Sequence, residues 1–95
     1  MSTQVTDITI LNQTLTTSGT EYAVALPPGT RRIRVQARTA VDLKLAFKAG
    51  DSGSIFVTVK AAPSPPYKAD GLLGIKAVYL QCGTDGVVAE IVAES

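Results

Sequence analysis

The stretch that decides the fold runs from Pro27 to Phe47 and reads PPGTRRIRVQARTAVDLKLAF. Apolar residues alternate with polar ones in two successive segments, a period of two that is typical of half-buried β-strands. Pro27 and Pro28 have no backbone N–H for a β-ladder, so they end the preceding strand. The alternating apolar residues are Ile33, Val35 and Ala37 in the first segment and Val41, Leu43, Leu45 and Phe47 in the second.

Two connections between these strands agree with the alternation. A three-residue hairpin loop, Arg38-Thr39-Ala40, pairs Val35 with Leu43 and keeps the apolar side chains on one face. Hairpin loops of this length favour a glycine in the left-handed conformation, and this loop has none. The alternative is an arch, in which the second strand crosses to a facing sheet.

The N-terminal region predicts another strand, from Val5 to Leu15. Ile8 and Ile10 share one face of it, whereas Leu11 and Leu15 have the opposite phase. This change of phase predicts a β-bulge near Leu11-Asn12.

Alternation predicts further strands downstream. One covers Tyr22–Leu26, and another covers Ile55–Lys60 with Ile55 opposite Phe47. The three prolines between positions 61 and 66 predict an extended segment outside any central strand. Tyr67 to Gly74 contains an Asp-Gly turn signal at positions 70 and 71.

The C-terminal region predicts a hairpin around Gly83–Gly86, between strands Ile75–Cys82 and Val87–Ala93. The inward face of this hairpin carries Cys82, which we expect to be buried. The other face is too apolar for exposure to water, and we expect a loop or a neighbouring subunit to cover it. Its apolar residues are Tyr79, Val88 and Val92.

Strands with turn signals every 8–12 residues or so, and no apolar helical periodicity, predict an all-β protein. We expect a small antiparallel β-sandwich or jelly-roll-like domain of about seven strands. It occupies residues 5–95, after a flexible arm at residues 1–4.

Composition limits the size and stability of this domain. The chain has 95 residues, of which 45% are hydrophobic and 5% aromatic, so the core is aliphatic. Such a core in a small unstapled domain is marginal, which predicts a homo-oligomer, a trimer or a dimer. A single cysteine fits folding in a reducing compartment. There is no visible signal peptide and no apolar run of about 20 residues, so we expect no membrane partner.

Residue types for catalysis are scarce. The chain has no histidine, which removes the commonest general base and metal ligand. Asp51–Ser54 and Thr84–Gly86 resemble calcium loops only superficially, because neither has a spaced run of acids. We therefore predict no catalytic residue, no metal and no cofactor, and hence a protein that is not an enzyme.

Four arginines lie in or beside the first segment: Arg31, Arg32, Arg34 and Arg38. One interpretation is a solvated strand face that discourages aggregation. Another is an interface with acidic protein surface, because arginine pairs with carboxylates in a bidentate manner. Nucleic acid is not expected as a partner, since the segment lacks stacking aromatics and the net charge is only +1.

Several segments resemble small structural proteins of tailed bacteriophages, over about two thirds of the chain from Tyr22 onward. These segments are Leu26–Thr30, Ile33–Arg38, Val41–Ala46, Val78–Gln81 and Val87–Ile91. The resemblance implies a virion protein made in the host cytoplasm, of the capsid decoration or cement type. Its implied partner is the major capsid protein or another virion protein. The alternatives are a neck or tail component, or a small carbohydrate-binding or adhesion module.

Attachment to such a partner is expected through segments that can follow a surface without disturbing the core. These are the arm at residues 1–4, the proline segment and the arginine face. The predicted interface residues are Arg31, Arg32, Arg34, Arg38, Pro63, Pro65, Pro66, Tyr67, Tyr79, Val88 and Val92.

Overall fold

The computed structural model describes residues 8–61, 63–72 and 74–95. The predicted arm at residues 1–4 and the predicted strand start at Val5 lie outside these residues.

The protein is all-β, as predicted, with eight strands rather than about seven and no helix among the described residues. The strands are β1 (Ile8–Leu15), β2 (Tyr22–Ala25), β3 (Arg32–Ala37), β4 (Leu43–Ala46), β5 (Val57–Val59), β6 (Tyr67–Ala69), β7 (Ala77–Gln81) and β8 (Val87–Glu94).

The strands form two antiparallel four-stranded sheets. The first sheet has the order β1-β8-β3-β6 and the second has the order β2-β7-β4-β5. Successive strands alternate between the sheets except at β4 and β5, which form the one hairpin ladder among the described residues. This order is that of an eight-stranded jelly roll, a double-sheet architecture with Greek-key connections.

Of the two connections that agree with the alternation after β3, the structure has the arch and not the hairpin that pairs Val35 with Leu43. β3 lies in the first sheet and pairs with β6 and β8, whereas β4 lies in the second and pairs with β5 and β7. Both connections leave the same residues facing inward, and Val35 and Leu43 are fully buried on opposite walls of the core. A loop without a left-handed glycine fits the arch.

The expected C-terminal hairpin is wrong, because that connection is an arch as well. β7 pairs with β2 and β4, whereas β8 pairs with β1 and β3 in the other sheet. The inward parity is nevertheless as predicted, because Leu80, Cys82 and Ile91 are all buried.

The expected bulge in the N-terminal strand is also wrong. β1 keeps an unbroken register with β8 from Ile8 opposite Glu94 to Leu15 opposite Val87. Both phases of this strand carry apolar residues because Leu11 and Leu15 face the core while Ile8 and Ile10 face outward.

The β4–β5 hairpin has the expected register, since Leu45 lies opposite Val57. The proline segment lies outside the strands, as predicted. However, it is not extended throughout: the Ser64 N–H donates to the carbonyl of Ala61 at 3.1 Å, which closes a turn.

The core lies between the sheets and is aliphatic, as expected. Burying each large aliphatic side chain stabilises the fold by about 1.5–3 kcal/mol. The largest fully buried apolar side chains are Leu15, Ile33, Leu43, Leu45, Leu80, Ile91, Val35, Val59 and Val78.

Candidate docking surface

The outer face of the first sheet presents one row of side chains that runs across all four strands. Ile10 lies opposite Val92, Val92 opposite Arg34, and Arg34 opposite Lys68. Ile10 is 68% exposed. The row therefore changes from apolar on β1 and β8 to basic on β3 and β6.

On one side of this row, the charges are paired within the protein. Arg32 lies opposite Glu94. Its Nε atom is 3.5 Å from a carboxylate oxygen of Asp70 and 3.9 Å from one of Glu94. These are exposed ion pairs, which contribute little to stability. They nevertheless place two carboxylates beside the Arg32 guanidinium.

On the other side, Glu90 gathers the polar groups. Its carboxylate accepts a hydrogen bond from the Arg38 Nε–H at 2.9 Å and another from the Gln36 side-chain amide at 2.7 Å. The Arg38 bond, followed by that from Gln36, holds the pKa of the Glu90 carboxyl below its ordinary value. Arg38 is thereby held against the sheet.

The two charged residues of the central row, Arg34 and Lys68, lack ion pairs of this kind among the described residues. Arg34 and Lys68 are directly opposed like charges, an arrangement that destabilises a strand pair. Neither side chain forms an ion pair with any residue that the structure describes. Both are exposed. This face therefore offers two adjacent cations, neither of which forms an ion pair with a described carboxylate.

A shallow groove of about 310 Å³ lies beside these cations. Its walls combine apolar side chains from the sheet with polar ones that can donate or accept hydrogen bonds. The lining residues are Ile10, Arg34, Gln36, Pro66, Glu90 and Val92.

The structure brings many of the sequence-predicted interface residues to this face or its margin. Arg32, Arg34, Val88 and Val92 occupy outward positions of β3 and β8. Among the prolines, Pro66 lines the groove, while Pro63 and Pro65 are exposed in the preceding loop. Arg31 is exposed beside β3, where its N–H donates to the Glu94 carbonyl at 2.8 Å.

The expectation for Tyr67 needs correction. The sequence predicted it as an interface residue in a segment that does not disturb the core. Tyr67 instead lies opposite Val35 in β6, is half-buried and packs against the core. The reason is its inward parity in a strand that the prolines of the preceding loop had made difficult to predict.

The predicted apolar patch of Tyr79, Val88 and Val92 is divided between the two sheets. Val88 and Val92 lie on the first sheet, whereas Tyr79 lies on the second, between Ala23 and Ala46. Residues on β7 and β8 would share an outer face in a hairpin, and the arch separates them.

Sequence reasoning missed two residues that define the central row, Ile10 and Lys68. Lys68 is 34 positions from Arg34, and only the pairing of β6 with β3 brings the two together. For Ile10 there was a signal, since apolar residues occupied both phases of the strand. We interpreted that signal as a bulge, whereas it reflects an isoleucine exposed on the outer face.

A second polar cluster lies at the loop between β4 and β5. The Glu21 carboxylate accepts hydrogen bonds from the Gly50 N–H at 2.8 Å, the Ser52 N–H at 3.1 Å and the Ser52 hydroxyl at 2.6 Å. The Ser52 hydroxyl in turn accepts one from the Gln81 amide at 2.9 Å. The Ser52 hydroxyl bond is the first cause of a lowered pKa at Glu21. The loop therefore binds an anionic group of the protein itself, the Glu21 carboxylate.

An exposed apolar patch not foreseen from the sequence lies on the β4–β5 hairpin. Ile55 is 73% exposed, and Phe56 and Val57 are each 37% exposed. The Lys44 ammonium lies 4.9 Å from the centre of the Phe56 ring, within reach of a cation–π contact. This patch belongs to the second sheet and is separate from the docking surface.

Among the described residues, no three His, Cys, Asp or Glu side chains come together in a way that could hold a metal ion. The described part of the chain also contains no helix long and apolar enough to cross a membrane.

The sequence matches no protein-family model and no curated protein. Among solved structures, the chain is similar to a de novo designed double-stranded beta-helix determined by solution NMR. The two share 21% sequence identity and a TM-score of 0.49, over 94% of this chain and 99% of that chain. A likeness of this degree to a designed protein tells nothing about what this chain does.

Proposed function

We propose that the protein is a non-enzymatic structural component of a phage virion, most specifically a capsid decoration protein that binds the head and stabilises it. In this role it attaches to an acidic surface of the major capsid protein through the outer face of the first sheet. The proposal combines the resemblance to small tailed-phage proteins with the chemistry of that face. It places the protein in the virion after synthesis in the host cytoplasm.

The observation that carries the docking step is the pair Arg34 and Lys68. Two exposed cations opposite one another repel, and neither forms an ion pair with a described residue. A partner carboxylate placed between them would relieve the repulsion and accept charge-assisted hydrogen bonds from both. The neighbouring Ile10 and Val92 offer apolar contact area beside that anchor.

The shape of the face fits a macromolecular partner. A groove that is open along a sheet can receive an extended segment, whereas small-molecule sites enclose most of their ligand. A capsid lattice repeats one site many times, so a weak single contact gains strength when an oligomer engages several copies. The jelly-roll fold itself is shared by viral and lectin domains and does not choose between them.

A carbohydrate-binding role has less support from the described side chains. Sugar recognition would be favoured by open aromatic platforms, and the three tyrosines, Tyr22, Tyr67 and Tyr79, are all half-buried. Tyr22 is further held by its hydroxyl, which accepts a hydrogen bond from the Thr17 N–H at 3.0 Å.

The test uses particles of the phage that encodes this chain, assembled without it. Purified wild-type protein should co-sediment with these heads. The double variant Arg34→Glu, Lys68→Glu should lose at least tenfold in affinity, because it places like charges against the acidic partner. Circular dichroism should show that the variant remains folded.

The matched control is Lys48→Glu, Lys60→Glu, which changes the net charge equally at two exposed positions near the second sheet. It should bind as the wild type does. Equal loss in both double variants would mean that only net charge matters and would overturn the assignment of the face. Binding to tails but not to heads would favour the neck or tail role, and no binding to either would overturn the virion role.

A further inference from the structure

The four edge strands of the two sheets are very unequal. β2, β5 and β6 have only three or four residues each. β2 is followed closely by Pro27 and Pro28, β6 contains Lys68 and follows Pro66, and β5 is followed by Lys60. Short length, proline and lysine are the usual means by which proteins prevent edge-to-edge pairing.

Within its eight residues β1 has none of these protections. It is an eight-residue edge strand, ITILNQTL, without charge, proline or glycine. Its pairing with β8 is regular along its whole length. Ile8 and Ile10 project from it with 59% and 68% of their surface exposed. A long, regular, apolar edge is a template for another strand.

The backbone of β1 directs a defined set of groups to its free edge. The Val88 carbonyl accepts a hydrogen bond from the Arg38 N–H at 2.9 Å, so the backbone groups of even-numbered β8 residues point toward β3. The odd-numbered β8 residues then bond to β1, and through this register to the odd-numbered residues there. The N–H and C=O groups of the even-numbered residues, including Ile8, Ile10 and Asn12, therefore face away from β8, toward an edge that no described strand occupies.

We propose that this edge is the interface of a homodimer, in which two β1 strands pair antiparallel about a two-fold axis at Ile10. Ile10 then lies opposite Ile10 of the second copy, and Ile8 lies opposite its Asn12. The first sheet of one copy and the first sheet of the other then form one continuous sheet of eight strands. This inference concerns how the protein associates with itself and does not depend on the capsid role.

Two observations favour an axis at Ile10 over one at Asn12. In that register Val92, Ile10, Ile10 of the second copy and its Val92 form one continuous apolar row on the outer face, which places the more exposed of the two outward isoleucines against its own copy. An axis at Asn12 would use the Thr14 carbonyl instead, and that carbonyl already accepts a hydrogen bond from the Gln13 side-chain amide at 2.9 Å.

A second copy also suits the charges. The strand is uncharged, so identical strands meet without repulsion. Arg34 lies two strands away from the edge in each copy. At a spacing of about 4.8 Å between strands, the two Arg34 positions are about 24 Å apart, well beyond the screening length of about 8 Å in physiological salt. Both basic docking rows then face the same side of one sheet.

The test is sedimentation equilibrium at micromolar concentration. Wild type should be a dimer, and Ile10→Lys should be a monomer, because two lysines would oppose one another across the axis in place of the apolar contact. Ile55→Lys is the matched control, with the same substitution at a similarly exposed isoleucine in the loop between β4 and β5, and it should stay dimeric. A monomeric or trimeric wild type, or a dimeric Ile10→Lys, would overturn the proposal.

A cross-link tests the register independently of whether the lysine variant folds. Ile10→Cys should form an intermolecular disulfide under mild oxidation, because opposed residues of a hydrogen-bonded antiparallel pair have Cα atoms about 5.5 Å apart. Asn12→Cys should not, since the two positions would be offset by four residues, about 13 Å. Cys82 is buried and does not compete. Cross-linking at Asn12 instead of Ile10 would refute the two-fold axis at Ile10.

Discussion

The Glu21 carboxylate shows how one side chain can determine the conformation of a loop. It accepts hydrogen bonds from Gly50 and Ser52 and so holds the β4–β5 loop against the start of β2. Ser52 is fully buried, and its hydroxyl bonds to Glu21 and Gln81 satisfy it there. Because these bonds favour the ionised form, they lower the pKa of Glu21 below its ordinary 4.5.

A lowered pKa in the folded state stabilises the fold at pH values above 4.5, and this contribution disappears as the pH falls through the lowered pKa. Glu21→Gln should therefore reduce the free energy of unfolding by about 1 kcal/mol at pH 7, since hydrogen bonds to a charged group become bonds to a neutral one. The difference from wild type should be smaller at pH 3. Urea unfolding at both pH values measures it.

Asp51→Asn is the control for this prediction. It removes a charge from the same loop, and the Asp51 side chain forms no hydrogen bond or ion pair with a described residue. Its unfolding free energy should stay within about 0.5 kcal/mol of wild type. A loss in Glu21→Gln that was equal at pH 7 and pH 3 would contradict the role of the ionised carboxylate.

At the scale of the element, β8 is the strand on which the first sheet depends. It lies between β1 and β3, and its residues alternate strictly between buried and half-buried positions. Ile91 is fully buried in the core, whereas Val92 faces outward beside Ile10. Two adjacent residues of similar chemistry thus have very different surroundings.

This contrast predicts the effect of truncation. Ile91→Ala should lower the free energy of unfolding by about 2–5 kcal/mol, because it opens a cavity between the sheets. Val92→Ala should lower it by less than about 1 kcal/mol, since water and neighbouring side chains can fill the space. Chemical denaturation of the two variants measures the difference. Similar losses at both positions would contradict the inward parity of β8.

The alternation of apolar residues predicted which side chains face the core but not which strands are neighbours. Val35 and Leu43 are buried whether their strands form a hairpin or an arch, so their burial carries no information about the connection. For the β3–β4 connection, the lack of a glycine at positions 38–40 was a local signal for the arch. For the β7–β8 connection, the glycine-rich turn Gly83–Gly86 predicted a hairpin, yet this connection is also an arch. Partner choice depends on packing between distant strands, which local turn chemistry does not contain.

The docking surface was only partly predictable, because alternation shows which side chains share a face but not which strands are neighbours. The alternation placed Arg32 and Arg34 together on the outward face of β3. It could not show that Glu94 and Asp70 occupy Arg32 while Lys68 approaches Arg34, since these neighbours come from β8, β6 and the residue after β6. The difference between a paired and an unpaired arginine is thus a property of the assembled sheet.

At the scale of the whole molecule, the jelly roll is built almost entirely from contacts between distant parts of the chain. β1 pairs with β8, β2 with β7, and β3 with both β6 and β8. Only β4 and β5, among the described strands, pair with a neighbour in sequence. Each of the other ladders requires a long loop to close before any contact forms, and this entropy cost delays folding.

We therefore expect slow, cooperative refolding with a time constant between about 1 ms and several seconds, as for other β-proteins dominated by non-local pairing. Stopped-flow dilution from urea measures it, and a short unfolding pulse before refolding removes slow phases caused by isomerisation of the five prolines.

Ile91→Ala should slow this refolding if the ladders of β8 form before the barrier. Val57→Ala in the local hairpin should then act mainly on unfolding, because that hairpin can close late at little entropic cost. Refolding within microseconds would contradict the expectation, since it would mean that local contacts outweigh the long-range ladders of this topology.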